Sequence, residues 1–292
     1  VKRASDAAGL RRRVMGVARF SSGGEAELQA HGIETIRCDL LDEEAVSNLP
    51  DAEHVIFMAG RKFGSTGDEA TTWAMNAWLP AVICQRYRRS RIVAFSTGNV
   101  YGLAPVDGGG SRETDVPQPL GEYAMSCLAR ERLLEYFNLR YAAPMAIVRL
   151  NYACDLRYGV LVDLAQKIVH GQPIDLAMGH FNTIWQGDAN AMALCAFAHT
   201  ASPPWTVNIT GPETLSVRGV CQRLGELLDK PVRFLGAETP TALLSDASLA
   251  AETFGPPRVR EEQLIEWVAR WVARGGRTLD KPTHFESRSG RF

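Results

Sequence analysis

Apolar positions in the first half of the chain fall into short runs separated by polar, turn-rich stretches. Residues 13–20 (RVMGVARF) and 32–40 (GIETIRCDL) are rich in β-branched and apolar residues and predict strands. Residues 54–60 (HVIFMAG) and Arg91–Thr97 (RIVAFST) are almost continuously apolar, the pattern of strands covered on both faces. Residues 145–151 (MAIVRLN) predict a further strand. Between these runs, residues 24–31, 42–49, 68–89 and 121–141 carry helical patterns. Such β-α alternation predicts a doubly wound parallel sheet with right-handed crossovers. Sheets of this kind place ligands at the carboxyl ends of their strands.

The second half is less regular. Residues 160–171 and 187–201 predict helices, and residues 205–210 (WTVNIT) predict a strand that stops at Gly211-Pro212. Residues 216–228 predict an amphipathic helix with Ser216 as N-cap, followed by a short strand over 232–235. Leu264, Trp267, Val268, Trp271 and Val272 lie on one face of a helix over 261–274, which Gly275-Gly276 ends. Residues 279–292 are polar and predict an extended tail.

The 292 residues suffice for a large core or about two domains. A division is expected at residue 152: residues 1–152 form a nucleotide-binding domain, and residues 153–292 form a smaller lobe from which about 184–212 return to the first. A net charge of −1 argues against a general nucleic-acid binder. No apolar stretch reaches the roughly 18 residues that a membrane span needs. The six cysteines form no C-x-x-C pair and fit no zinc pattern, so no metal is expected. Most sit in apolar runs, as Cys84 and Cys195 do, and are expected to be reduced, buried and inert. The charged N-terminal stretch lacks the apolar core of a signal peptide, which points to the cytoplasm.

The chemistry concentrates in two segments. Phe95-Ser96-Thr97-Gly98-Asn99-Val100-Tyr101-Gly102 ends a strand on two hydroxyls. Some 26 residues on, Gly121-Glu122-Tyr123-Ala124-Met125-Ser126-Cys127 opens a helix with a tyrosine. Together with Cys38-Asp39-Leu40, Met58-Ala59-Gly60, Asn76, Val148-Arg149-Leu150-Asn151 and Ile184-Trp185-Gln186-Gly187-Asp188, this order resembles the extended short-chain dehydrogenase/reductase family of NAD(P)-dependent sugar-nucleotide epimerases and dehydratases. The resemblance covers nearly the whole chain. It implies a Rossmann-like α/β fold with a C-terminal substrate-binding lobe and hydride-transfer chemistry on a sugar, sugar nucleotide or similar polyol. By resemblance Tyr123 is the proton donor and acceptor, and Thr97 orients the substrate oxygen. Met58, Ala59, Gly60 and Asn76 fall on the cofactor side, as do Tyr123 and Cys127, with Asp39 and Leu40 at the adenine. Ser96, Thr97, Asn151 and Arg157 are the candidate substrate contacts. Residues 68–89 and 121–141 match the helices through which many relatives form homodimers.

Two features depart from that family. A lysine normally follows the tyrosine by one helical turn, and its charge lowers the tyrosine pKa; here that position is Cys127. A thiolate would raise the tyrosine pKa. Arg130, at i+7, is expected to reach away from the strand ends. Three readings stay open: another cation (Arg61, Lys62 or Arg157) replaces the lysine; the nicotinamide charge alone supports a slow reaction; or the protein binds cofactor silently. The family also opens with a strand and a Gly-x-x-Gly-x-x-Gly turn. Here residues 1–10 resemble the end of the first helix and residues 13–20 the second strand, so residues ahead of Val1 are expected in the native protein. At the end of that strand Arg19 and Ser21 offer donors with no acid beside them, which favours NADP over NAD.

Overall fold

The computed structural model describes residues 1–62 and 64–291; Phe292, at the end of the predicted tail, lies outside the described residues. Four parallel strands form the main sheet: β3 (His54–Phe57), β4 (Arg91–Thr97), β5 (Met145–Leu150) and β6 (Trp205–Ile209), in the order β6-β5-β4-β3. Strands β1 (Met15–Ala18) and β2 (Glu34–Arg37) form a separate parallel pair, and no strand among the described residues bridges β1 to β3. The predicted single sheet is therefore in two pieces.

Residue alternation explains why the main sheet is covered on both sides. Ile92, Ala94, Met145 and Ile147 face one apolar layer with Leu79, Ile83 and Leu134. Val93, Ala146, Val148 and Val207 face the other, with Ile184, Met192 and Ala193. Period-two side-chain alternation within apolar runs produces this two-sided burial.

The predicted helices are present, with shorter or broken outlines. Helices α1 (Lys2–Ala7), α2 (Glu25–Ala30) and α3 (Glu43–Ser47) are short. The helix expected over 68–89 is α4 (Glu69–Trp73), a π-helical segment (Ala74–Trp78) and α5 (Leu79–Arg86), whose Pro80 lacks the N–H of a regular ladder. Helix α6 (Gly121–Tyr141) buries Ala124, Cys127, Glu131, Leu134 and Asn138 along one face. The helix expected over 187–201 ends at Cys195 as α8 (Gln186–Cys195) and continues as a 3₁₀ turn.

Helices α7 (Val160–Val169), α9 (Val217–Leu228) and α11 (Glu261–Ala273) build the C-terminal core, while α10 (Ser248–Phe254) packs near β6. Ser216 caps α9 by accepting from Gly219 N–H. The Trp267 ring meets Trp185 edge-on at 5.7 Å. The tail differs from expectation. It is extended but docked: Phe285 is 1% exposed in the C-terminal core, 6.1 Å from the Phe181 ring. Burying such a side chain contributes roughly 1.5–3 kcal/mol, and hydrogen bonds of Thr283 to Asp163 and of Arg288 to Thr241 add to the hold. No described helix is long and apolar enough to cross a membrane.

Candidate active site

Phe57 pairs with Ala94, and Thr97 with Leu150, so β3, β4 and β5 end side by side. A cavity of about 260 Å³ opens at these carboxyl ends, lined in part by Met58, Gly60, Lys62, Ser96, Tyr123 and Arg130. Met58 is 62% exposed at this edge.

Thr97 ends β4 and Tyr123 opens α6, and their side chains are hydrogen-bonded. The Thr97 Oγ accepts from Asn99 N (3.2 Å) and Asn99 Nδ2 (3.0 Å). With both lone pairs engaged, its hydroxyl proton is the group left to donate to the Tyr123 oxygen. Burial pushes the Tyr123 phenol well above its ordinary value, and Cys127 adds to that; Arg130 and the Thr97 bond act the other way. Burial likewise raises the Cys127 thiol, and the residue packs with Val100 and Tyr101 behind Tyr123 instead of lining the cavity as a cofactor contact would.

Asn76 sits in the π-helical segment and is fully buried. Its side chain accepts from Arg61 N–H (2.8 Å) and donates to Arg61 O (2.8 Å) and Ser126 Oγ (3.0 Å). It thus fixes the loop after β3 without lining the cavity. Arg130 does not reach away from the strand ends as expected. Its guanidinium donates to Phe95 O (2.7 Å), Asn76 Oδ1 (2.8 Å) and Asn76 O (3.3 Å), beneath the cavity and against Gly60. Seven residues are nearly two helical turns, which returns Arg130 to the Tyr123 face.

Ser96 lines the cavity but spends its proton on Glu131 Oε1 (2.5 Å). Glu131 is paired with Arg149 at 2.7 Å, both side chains under 10% exposed. Arg149 Nη1 also donates to the Tyr101 hydroxyl (2.6 Å), which donates to Asn208 Oδ1 (2.8 Å). This buried network stiffens the strand ends. Its signal in the sequence was a charge inside the apolar run MAIVRL and another on the buried face of α6.

The other candidates fall outside the cavity. Asn151 donates to Asn182 Oδ1 (2.9 Å) within a buried amide network. Arg157 is exposed and paired with Asp155 at 2.8 Å. Neither lines the cavity. Arg19, Ser21 and Asp39 are exposed at the carboxyl ends of β1 and β2, with Leu40 half-buried beside them; contrary to expectation an acid does stand beside Arg19, Asp39 at 3.9 Å, because the parallel pairing of β1 with β2 brings the two strand ends together. Asp39 Oδ1 accepts from Leu41 N–H. Ala59 is half-buried and Gly60 open at the cavity mouth.

These positions fit a dinucleotide laid along the carboxyl edge. Polar groups stand at the β1–β2 end, and the cavity would take one ring and its ribose. No glycine turn that could cradle a pyrophosphate occurs among the described residues. Nor is there a metal-binding cluster of three or more His, Cys, Asp or Glu side chains among them. The cysteines are free; five are buried, but Cys195 is exposed, contrary to expectation, because it lies at the end of α8 on its outer side.

The profile of the NAD dependent epimerase/dehydratase family matches residues 3–177. No curated protein gives a significant match. Similar solved structures include UDP-glucuronic acid 4-epimerase from Bacillus cereus in complex with NAD (17% identity, 90% of each chain covered, TM-score 0.74). Others are Thermus thermophilus UDP-glucose 4-epimerase complexed with NAD (21%, 94% of each, 0.74) and RMD from Pseudomonas aeruginosa complexed with NADPH (17%, 89% of this chain and 98% of that one, 0.71). These likenesses show the shared fold. They lend no support to a catalytically silent protein.

Proposed function

We propose that this chain, which belongs to the NAD dependent epimerase/dehydratase family, uses NAD(P) for an epimerase, dehydratase or dehydrogenase reaction on a sugar, sugar nucleotide or similar polyol. One observation carries the reading: Tyr123, which lines the strand-end cavity, is hydrogen-bonded to Thr97 at the end of β4. The bound nicotinamide would supply or accept the hydride. Tyr123 would give a proton to the substrate oxygen or take one from it, and the Thr97 donor would hold the phenol oxygen in place. Met58, Ala59 and Gly60 would line the nicotinamide end. Asp39 and Leu40 would meet the adenine, and Arg19 and Ser21 favour the 2′-phosphate of NADP. Asn76 would act through the loop that it holds. We place the cofactor half in residues 1–152 and the substrate lobe in 153–292.

Homodimer formation through α4, α5 and α6 is part of this reading. Met125, Tyr136 and Leu139 on α6 and Trp78 in the π-helical segment between α4 and α5 are each at least 44% exposed, and a second copy would cover them. Free thiols suit a reducing cytoplasm.

The test is Tyr123→Phe, assayed by reduced-nicotinamide absorbance against a panel of nucleotide sugars and sugar acids. Turnover should fall at least about 100-fold, the usual worth of a general acid–base group. Cofactor affinity should stay within about twofold, because the lost hydroxyl faces the reacting oxygen. Unchanged turnover would remove Tyr123 from the chemistry and the reading with it.

A further inference from the structure

The loop after β3 carries a lysine to the tyrosine from outside its helix. Lys62 Nζ stands 5.9 Å from the centre of the Tyr123 ring and lines the same cavity. It also reaches Thr283 O in the docked tail, at 3.4 Å. Thr283 is held in turn by Asp163 of α7, whose Oδ2 accepts from Thr283 N (2.7 Å) and Oγ1 (2.6 Å). A line of contacts therefore runs from α7 through the tail to the lysine and the tyrosine.

We propose that Lys62 is the positioning residue that supplies positive charge to Tyr123, in place of a lysine at position 127, and that the C-terminal tail holds it there. This rests on the reading that Tyr123 moves the proton. Cys127 cannot serve, being neutral. Arg157 is elsewhere, on Asp155. Arg61 is engaged with Asp68 at 2.6 Å. Arg130 contributes a constant charge, but Phe95 O and both oxygens of Asn76 pin it under the floor. Lys62 is the adjustable cation. It faces Tyr123 and Cys127 from α6, Arg130 below, Asp163 and the Thr283 carbonyl from the lobe, with Glu286 behind Asp163. Burial lowers its pKa to about 8, against a smaller opposing pull from Cys127 and Asp163. Its charge is thus present below about pH 8 and lost above it.

An opposite charge within about 4–6 Å shifts a pKa by roughly 1–3 units. Lys62 stands over the ring and not on the phenol oxygen, so the lower part of that range is taken, and Lys62→Met should slow carbonyl reduction by about 10- to 100-fold. In the wild type that rate should fall as pH rises through about 8. Lys62→Arg should keep most of the activity and lose this fall, since arginine stays charged. Cys127→Lys should rescue Lys62→Met yet add little to the wild type. A wild-type rate in Lys62→Met, or an unaltered pH limb in Lys62→Arg, would overturn the proposal. If Tyr123→Phe is fully active, the functional reading fails instead.

A second measurement needs no turnover. The protein has five lysines, so side-chain NMR of lysine-labelled protein can follow each, with Lys62→Arg assigning the signal. A Lys62 midpoint near 8 that drops in Asp163→Asn supports the placement. An ordinary midpoint, about 10.4, overturns it.

Discussion

Arg149→Met isolates the buried charge pair beneath the site. Glu131 and Arg149 side chains are 4% and 7% exposed, and three contacts join them, at 2.7, 3.0 and 3.2 Å. Without the guanidinium, the carboxylate keeps only the Ser96 hydroxyl as a partner among the bonds described here. Breaking a buried pair by removing one member costs about 3–5 kcal/mol, because an uncompensated charge remains. At roughly 2 °C per kcal/mol for a chain of this size, Tm should fall by about 6–10 °C. Urea unfolding followed by tryptophan fluorescence, with calorimetry alongside, measures both quantities. The control is Glu131→Leu combined with Arg149→Met. Removing both charges should recover most of the loss, since apolar replacement of a whole pair is often neutral. A single variant within about 1 kcal/mol of wild type, or a double variant as damaged as the single, would refute this reasoning.

Other outcomes follow from the same geometry. Phe285→Ala should loosen the tail, so that limited proteolysis cuts within residues 277–291 faster than in the wild type; equal resistance would mean that Phe285 is no anchor. A thiol reagent applied to native protein should modify Cys195 quickly and the five buried cysteines slowly. Burial drives the Cys84 thiol up to about 12, so it should stay unreactive at pH 8 until the protein unfolds. Mass mapping of the labelled cysteines decides this. Light scattering should give the mass of a dimer, and Leu139→Glu should halve it.

Much of the fold was legible because the strands are buried on both faces, and RIVAFST and MAIVRL advertise that without ambiguity. The Thr97–Tyr123 pair was legible because a strand end and a helix start are fixed by local chemistry. What escaped depends on long-range contact. Lys62 meets Thr283 across 221 positions, and no periodicity reports that. The tail looked like solvated chain because Phe285 is a single aromatic among polar residues. Arg130 was misread because its long side chain can fold to either end of the helix, and Asn76 decides which. Asn151 and Arg157 sit in plausible places along the chain, but Asn182 and Asp155 claim their side chains.

The most direct measurement is calorimetric titration of NADP⁺ and NAD⁺ into the protein. Micromolar binding is expected, with NADP⁺ the tighter, and loss of that preference in Arg19→Glu. No binding of either dinucleotide would contradict the assignment of the strand-end cavity as a nicotinamide site.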